Sequence, residues 1–541
     1  MKNKSRKKWI SYMAVLIIGI FIIQACNSYI SFRSNYEDAN KLLHETENLE
    51  TKPFLKAHLK NGDICILKDS WKIDTISNSV IGIGVKYDFN RKLAFEGAIN
   101  IPIDSVAIFE TNKKIEKAEK GRIAALSILA GIDVAVGLLC LSNPKACFGS
   151  CPTFYINEND NFHYADAEGF SNAISPSMEY SDIDALRDQH VINNTFSITM
   201  KNEALESHCV KDVKIFAYPI ESNQRVYQSP KNEFYLCENQ YSLSIAEADE
   251  GSITSLLKNQ DQQERFSYTD EDNLNSKETI YLTFDNVEHT NNLGLILNFR
   301  QTLLTTYLFY SAMGYMGDKV GDMFAKLENN SELRDNFDNS TKLLGGIEIY
   351  ALNHNSDKWE LQNSFNETGP IAINKQIIPL QIKSTSSIAK IKIVLNKGLW
   401  RIDYASLTNI KERISPLKIP PTSIFINGKQ DKTSISEIND PNKYLISMPG
   451  SEYKFNFTFP KTNANASTNY ELFLYSKGYY LEWMREHWIK DKNLIKLHQM
   501  VYYPEMFLKD EAKDFKSYET TMEQQFWNSR IDTKTFTYYE N

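Results

Sequence analysis

Apolar residues recur along this chain mostly at every second position, and one stretch breaks that rhythm. Residues 64–67 and 79–87 alternate β-branched with polar side chains, which marks strands, and 98–109 (AINIPIDSVAIF) continues the pattern. Residues 113–122 then read as the start of a charged helix. The break comes at 123–141, an almost unbroken apolar run that ends in Cys140, Cys147 and Cys151. It is long enough to span a bilayer. Asp133 near its midpoint would be costly in lipid. Its small residues (Ala124, Ala125, Ala130, Gly131, Ala135, Gly137) suit close packing inside a protein. The run is therefore expected to be a helix buried in the chain's own core, with the cysteines clamping its exit.

Alternation resumes downstream. Residues 153–186 read as strand, turn and loop, and 192–201, 210–218, 233–236, 278–284 and 293–299 as strands. Residues 259–277 form a polar, acidic loop. Residues 301–327 make a second apolar helix, with Gly314, Gly317 and Gly321 near one face, and the two apolar helices are expected to pack together. The polar stretch 329–341 (NNSELRDNFDNST) is the expected domain boundary. Strands follow at 346–352, 377–382, 389–395, 400–406, 423–426, 444–448 and 452–459, with turn signals at Asn427-Gly428 and Pro449-Gly450. A last strand at 470–475 precedes an aromatic segment, 478–490, carrying Trp483, Met484 and Trp488. A helical region, 492–529, contains Phe526-Trp527. These aromatics are expected to pack the tail onto the β region rather than to form a sugar-stacking surface. The fold class predicted is α+β and β-rich multidomain: β-sandwich-like units, two buried apolar helices and a helical C-terminal tail. The segments are 1–25 (signal), 26–60 (tether), 61–328 (mixed α/β), 342–475 (β-sandwich-like) and 476–541 (helical).

The N-terminus changes the picture of where this happens. Lys2, Lys4, Arg6, Lys7 and Lys8 precede an apolar run at 13–23 and the sequence Gln24-Ala25-Cys26. A basic start, a short apolar core and a small residue describe a secretory signal. The cysteine directly after Ala25 resembles the lipid-attachment site of bacterial lipoproteins, in which acyl chains on Cys26 would anchor the protein at about 0.8 kcal/mol per buried methylene. The tether is expected to include a short helix at 36–49. An exported chain would place Lys113, Lys114, Lys117, Lys120 and Arg122 outside, against the positive-inside tendency, which again argues against a membrane span at 123–141. Outside the cytoplasm, Cys65, Cys140, Cys147, Cys151, Cys209 and Cys237 become disulfide candidates. The sequence leaves their pairing open. Cys209 with Cys237, which flank two strands, is the first choice. With 541 residues and 42% hydrophobic content the chain can bury a large core. Its net charge of -8 excludes the basic footprint of a nucleic-acid binder.

Chemistry is sparse. Three cysteines with only His163 nearby do not make a zinc site, so no metal and no cofactor is expected. The CxxxC spacing is neither haem-binding nor thioredoxin-like, and Ser150 lacks a nucleophile elbow. Glu203, Glu206 and His208 in NEALESH could be imagined as an acid–base group but read as a solvated turn. Glu482, Glu486 and His487 complete the nominations. The stretches ACFGSCPTFY from Ala146, NEALESH from Asn202, GLWRID from Gly398 and GYYLEWMRE from Gly478 resemble an uncharacterised family of long Bacteroidetes-type bacterial lipoproteins carrying a CFGSCP motif. That resemblance implies a cell-envelope location. The absence of an acidic patch after Cys26 points to the periplasmic side of the outer membrane. The reading is a non-enzymatic lipoprotein that binds or supports an envelope protein or glycan partner. An exported hydrolase acting on glycan or peptide is the alternative. A two-span inner-membrane protein would follow only if 123–141 faced lipid.

Overall fold

A computed structural model describes residues 28–35, 55–59, 63–68, 70–87, 93–115, 151–156, 165–174, 176–186, 191–204, 206–288, 292–317, 323, 343–365, 369–381, 386–441, 443–447, 450–460, 469–482, 491–528 and 533. The predicted helix at 123–141, the helix at 36–49, Cys26, Cys140, Cys147 and His487 lie outside them. Among the described residues no helix is long and apolar enough to cross a membrane. The chain divides into two compact units. The smaller draws on described residues within 1–137, 313–326 and 483–494, and the larger on those within 138–312, 327–482 and 495–541.

The smaller unit is one antiparallel sheet. Its strands run in the order Ser28–Asn35, Val106–Ile115, Leu55–Leu59, Ile64–Leu67, Ser79–Tyr87, Lys72–Asp74, and Leu93–Pro102 adds to Ser79–Tyr87. Two pieces of the expected tether are thus strands. The expected continuous run at 98–109 is broken by a 3-10 turn at Ile103–Ser105, where the pairing partner changes. Lys113 and Lys114 do not begin a helix, because they lie in a strand opposite Ile30 and Tyr29. Leu55, Ala57, Leu67, Trp71, Val80 and Ile101 form the core beside the buried thiol of Cys65. Two strands meet closely at Gly84: a Cβ there would sit 2.0 Å from the Ile66 carbonyl oxygen.

The larger unit holds four sheets. Sheet I orders Tyr180–Ala185, Asn469–Glu482, Glu206–Ile220 and Leu417–Ile419, with Leu445–Ser447 also on Glu206–Ile220. Sheet II orders Lys429–Gln430, Pro421–Ile426, Glu452–Thr458, Thr195–Lys201, Thr153–Tyr155 and Ala167–Glu168. Sheet III orders Phe234–Ser242, Gln224–Gln228, Asn374–Pro379, Leu293–Gln301, Trp400–Ile414 and Arg265–Phe266. Phe234–Ser242 also pairs with Trp400–Ile414, so five of its strands close a ring. Sheet IV orders Gly251–Ser252, Ile245–Ala248, Lys277–Phe284, Ala389–Asn396, Ile347–Asn353 and Lys358–Phe365. The architecture is β-rich with several sheets, as the alternation predicted. Asn427-Gly428, both at positive φ, make the tight turn joining Pro421–Ile426 to Lys429–Gln430.

Segment 329–341 lies outside the described residues. Every sheet of the larger unit mixes strands from before and after it. The expected boundary at 476 also falls inside a strand, Asn469–Glu482. The second apolar helix starts later than expected, because Gln301 still belongs to strand Leu293–Gln301; its described run is Leu304–Met316. Leu304, Leu308 and Ala312 are buried, and Tyr307 stacks edge-on with Phe515, 5.1 Å between centroids. The helical tail comprises Leu494–Tyr502, Pro504–Asp510 and Ala512–Asn528. Its Phe507, Phe515, Met522 and Phe526 are buried. Its Glu523 pairs with both Arg300 and Arg401 of sheet III, and buried Arg300 also holds Glu264 at 2.6 Å.

The expected Cys209–Cys237 bridge is not formed. Cys65, Cys151, Cys209 and Cys237 are all buried thiols. Cys209 lies in sheet I opposite Tyr479 and Ile446, whereas Cys237 lies in sheet III opposite Arg225 and Ile410, so the two strands that suggested a bridge belong to different sheets. Replacing Gly84 by alanine should force the adjoining strands apart and cost roughly 1–3 kcal/mol. Chemical denaturation of the purified variant would read that loss, and an unchanged midpoint would refute the close approach.

Candidate functional site

Sheet I carries an unusual face. In an antiparallel ladder, directly opposed residues share a face, as do every second residue along each strand. Glu206 opposes Glu482, His208 opposes Tyr480, and Asp182 opposes Ser476. Tyr180, Asp182, Asp184, Glu206, His208, Tyr480 and Glu482 therefore share one face, and it is turned inward. Glu206 and His208 are fully buried and Glu482 is 1% exposed. The expected solvated turn is instead the start of strand Glu206–Ile220, which pairs with Asn469–Glu482 on one side and Leu445–Ser447 on the other.

A loop and a short strand cover this face. Tyr480 donates its backbone N–H to Ala173 O and its hydroxyl to Ser171 O. Phe170, fully buried at a positive φ of 34°, lies over Gly478, where a Cβ would meet its ring at 2.9 Å. Glu168 is the central tie. Its Oε1 accepts from the Cys151 thiol at 2.7 Å, and its Oε2 accepts from Ile371 N at 2.7 Å and Ala372 N at 3.2 Å. Its own N–H donates to Asp184 Oδ2 at 2.7 Å. One residue thus joins sheet II, sheet I and the segment leading into strand Asn374–Pro379. Gly369 makes room, since a Cβ there would fall 2.1 Å from the Glu168 carboxyl carbon.

The nominated residues are only partly brought together. Glu206 Oε1 lies 2.8 Å from His208 Nε2. Glu482 Oε2 accepts from the Tyr310 hydroxyl at 3.1 Å. Glu203 accepts at one oxygen from Thr153 and Tyr155, at 2.9 and 2.7 Å. Sequence reasoning missed Cys151–Glu168 and the Asp182/Asp184 pair. The sequence YSDIDA does place both aspartates on one face of a strand, but nothing in it says that the face is internal.

Burial dominates the electrostatics. It pushes the Glu168 carboxyl up to about 7, although the Cys151 thiol and two backbone N–H groups favour its charged form. Burial likewise raises Asp182 and, helped by the charge of Asp182, Asp184. The Cys151 thiol is raised well above its ordinary value by burial and by Glu168, so it is a hydrogen-bond donor rather than a nucleophile. No group of three or more His, Cys, Asp or Glu is placed to hold a metal among the described residues. A hydrolytic acid–base pair must reach a substrate bond and a water. These carboxyls face packed protein.

The folded chain holds the Glu168 proton more tightly than an unfolded glutamate, whose ordinary value is 4.5. The stability linked to that proton is complete below about 4.5 and is lost as pH rises through about 7. It amounts to something on the order of 3 kcal/mol. Urea midpoints of the wild type and of Glu168→Gln, compared from pH 4 to pH 8, should diverge over that window, with the wild type losing more as pH rises. Parallel curves would show that Glu168 titrates normally.

No family model and no curated protein matches the chain. Among solved structures, it is similar to a crystal structure of BuGH86wt in complex with neoagarooctaose, at 7% identity over 42% of this chain and 33% of that one, with a TM-score of 0.16. It is also similar to the secreted serine protease VesC from Vibrio cholerae, at 10% identity over 43% of this chain and 50% of that one, with a TM-score of 0.12. The chain therefore spans half or less of the length of these proteins, and likenesses this slight carry no argument about fold or activity.

Proposed function

We propose that this protein is a non-enzymatic cell-envelope lipoprotein, anchored by acyl chains on Cys26, that binds or supports a partner on the periplasmic side of the outer membrane. One observation carries the choice of binding over catalysis. The acid–base residues that could be nominated within the described chain are committed to internal contacts: Glu203 to Thr153 and Tyr155, Glu206 to His208, and Glu482 to Tyr310. Their exposures, at most 5%, leave no approach for a polymeric substrate. The anchor rests on the basic start, the apolar run and Ala25-Cys26. In the same reading the sheets of the larger unit are sandwich-like layers.

Expression in a lipoprotein-processing host with labelled palmitate tests the anchor. The wild type should carry label and sediment with membranes. Cys26→Ala should lose the label and most of its membrane association, and label retained by that variant would remove the proposal.

A further inference from the structure

An antiparallel sheet with one face on the core ordinarily shows water a polar opposite face. Sheet IV does not. Its inner face is conventional: Ile280, Leu282, Ile349, Ile391 and Ile393 are buried to 1% exposure or less. On the outer face, backbone register sets a transverse row Glu247, Tyr281, Lys392, Tyr350, Leu361 across five adjacent strands. Tyr281 is 47% exposed and Leu361 58%. Trp359, beside this row on the outermost strand, brings its ring to 5.9 Å from that of Tyr281. The Lys392 ammonium stands among these rings, 4.2 Å from the Tyr350 centroid and 5.5 Å from that of Trp359. Tyr350 is fixed by its hydroxyl, which donates to Glu348 at 2.7 Å.

Three features together select a ligand class. The Tyr281 and Trp359 ring centroids stand 5.9 Å apart, close to the length of one sugar ring, on a sheet face rather than in a cleft. Their faces carry negative quadrupole density, which suits the C–H bonds of a pyranose. Lys390 and Lys392 alternate outward on one strand, and among the described residues neither is ion-paired. The acids on this face are placed otherwise, with Glu247 at the end of the row and Glu348 held by Tyr350. The central positive charge complements a carboxylate or sulfate on the ligand, and an ammonium offers such a group three donors.

We propose that the outer face of sheet IV binds an acidic glycan, with Tyr281, Tyr350 and Trp359 stacking on sugar rings and Lys390 and Lys392 pairing with its anionic groups. This gives the binding role proposed above a ligand, and to that extent rests on it. The Cys26→Ala chain should bind unchanged, so failure of the anchor and failure of the platform are told apart.

The test is calorimetric titration of the full chain with polygalacturonate, alginate and chondroitin sulfate, and with neutral cellohexaose as reference. At least one acidic glycan should bind, at least ten-fold more tightly than cellohexaose, and should weaken as salt is added. Trp359→Ala and Lys392→Gln should each weaken it roughly ten-fold or more. Lys392→Gln removes charge with little change of shape, so it keeps the test informative if the tryptophan variant fails to fold. The proposal is overturned if none of the three acidic glycans binds at millimolar sugar, or if the neutral one binds equally well. It is also overturned if neither variant weakens binding, or if ultracentrifugation shows the face covered in a dimer that Trp359→Ala dissociates.

Discussion

Turning an ionisable sheet face inward obliges the protein to match it group by group, and the rest of the larger unit is arranged around that obligation. A buried carboxyl without partners costs several kcal/mol, so every neighbour is conscripted. Glu168 shows how tightly. Thiol, backbone amides and a glycine that gives way all converge on one side chain from three parts of the chain. Such a tie defines register as much as it stabilises. Slipping strand Tyr180–Ala185 by one residue would put Asp182 and Asp184 against the wrong layer. The polar interior thus specifies how sheets I and II meet, while the apolar ring of sheet III, around Ile296, Ile377 and Tyr404, supplies ordinary hydrophobic cohesion.

Charge is used differently in the helical tail. Glu523 reaches back to Arg300 and Arg401, and Phe515 packs edge-on against Tyr307, so the last helix is fastened to sheet III and to the helix Leu304–Met316. Arg300 is 2% exposed. Without Glu523 it would keep Glu264 but lose a carboxylate partner. The tail is an integral part of the larger unit rather than an appendage.

Local pattern was legible and topology was not. The alternation in KETIYLTF and AKIKIVLN gives strands that match Lys277–Phe284 and Ala389–Asn396 almost residue for residue, because a half-buried strand writes its period into its side chains. The pairing of Glu206–Ile220 with Asn469–Glu482 is written nowhere locally, since it is decided by contacts between residues 249 to 276 apart in sequence. This is why the polar run at 329–341 looked like a boundary although strands from both sides share sheets. The same limit applied to the site. NEALESH has the composition of a solvated turn, and only its partners on both sides make it interior. Cys209 and Cys237 are near in sequence and on strands, yet the strands diverge into different sheets.

That interleaving has a consequence for how the chain is made. Sheets I to IV each need strands from before residue 301 and from after residue 346. A growing chain that has emerged only as far as strand Leu293–Gln301 holds most of the strand edges of the larger unit with their partners still unsynthesised. Such edges readily join the wrong chain. None of the four sheets is complete until the strands after residue 346 are available. Assembly of this body waits for the strands after residue 346 rather than progressing strand by strand along the chain.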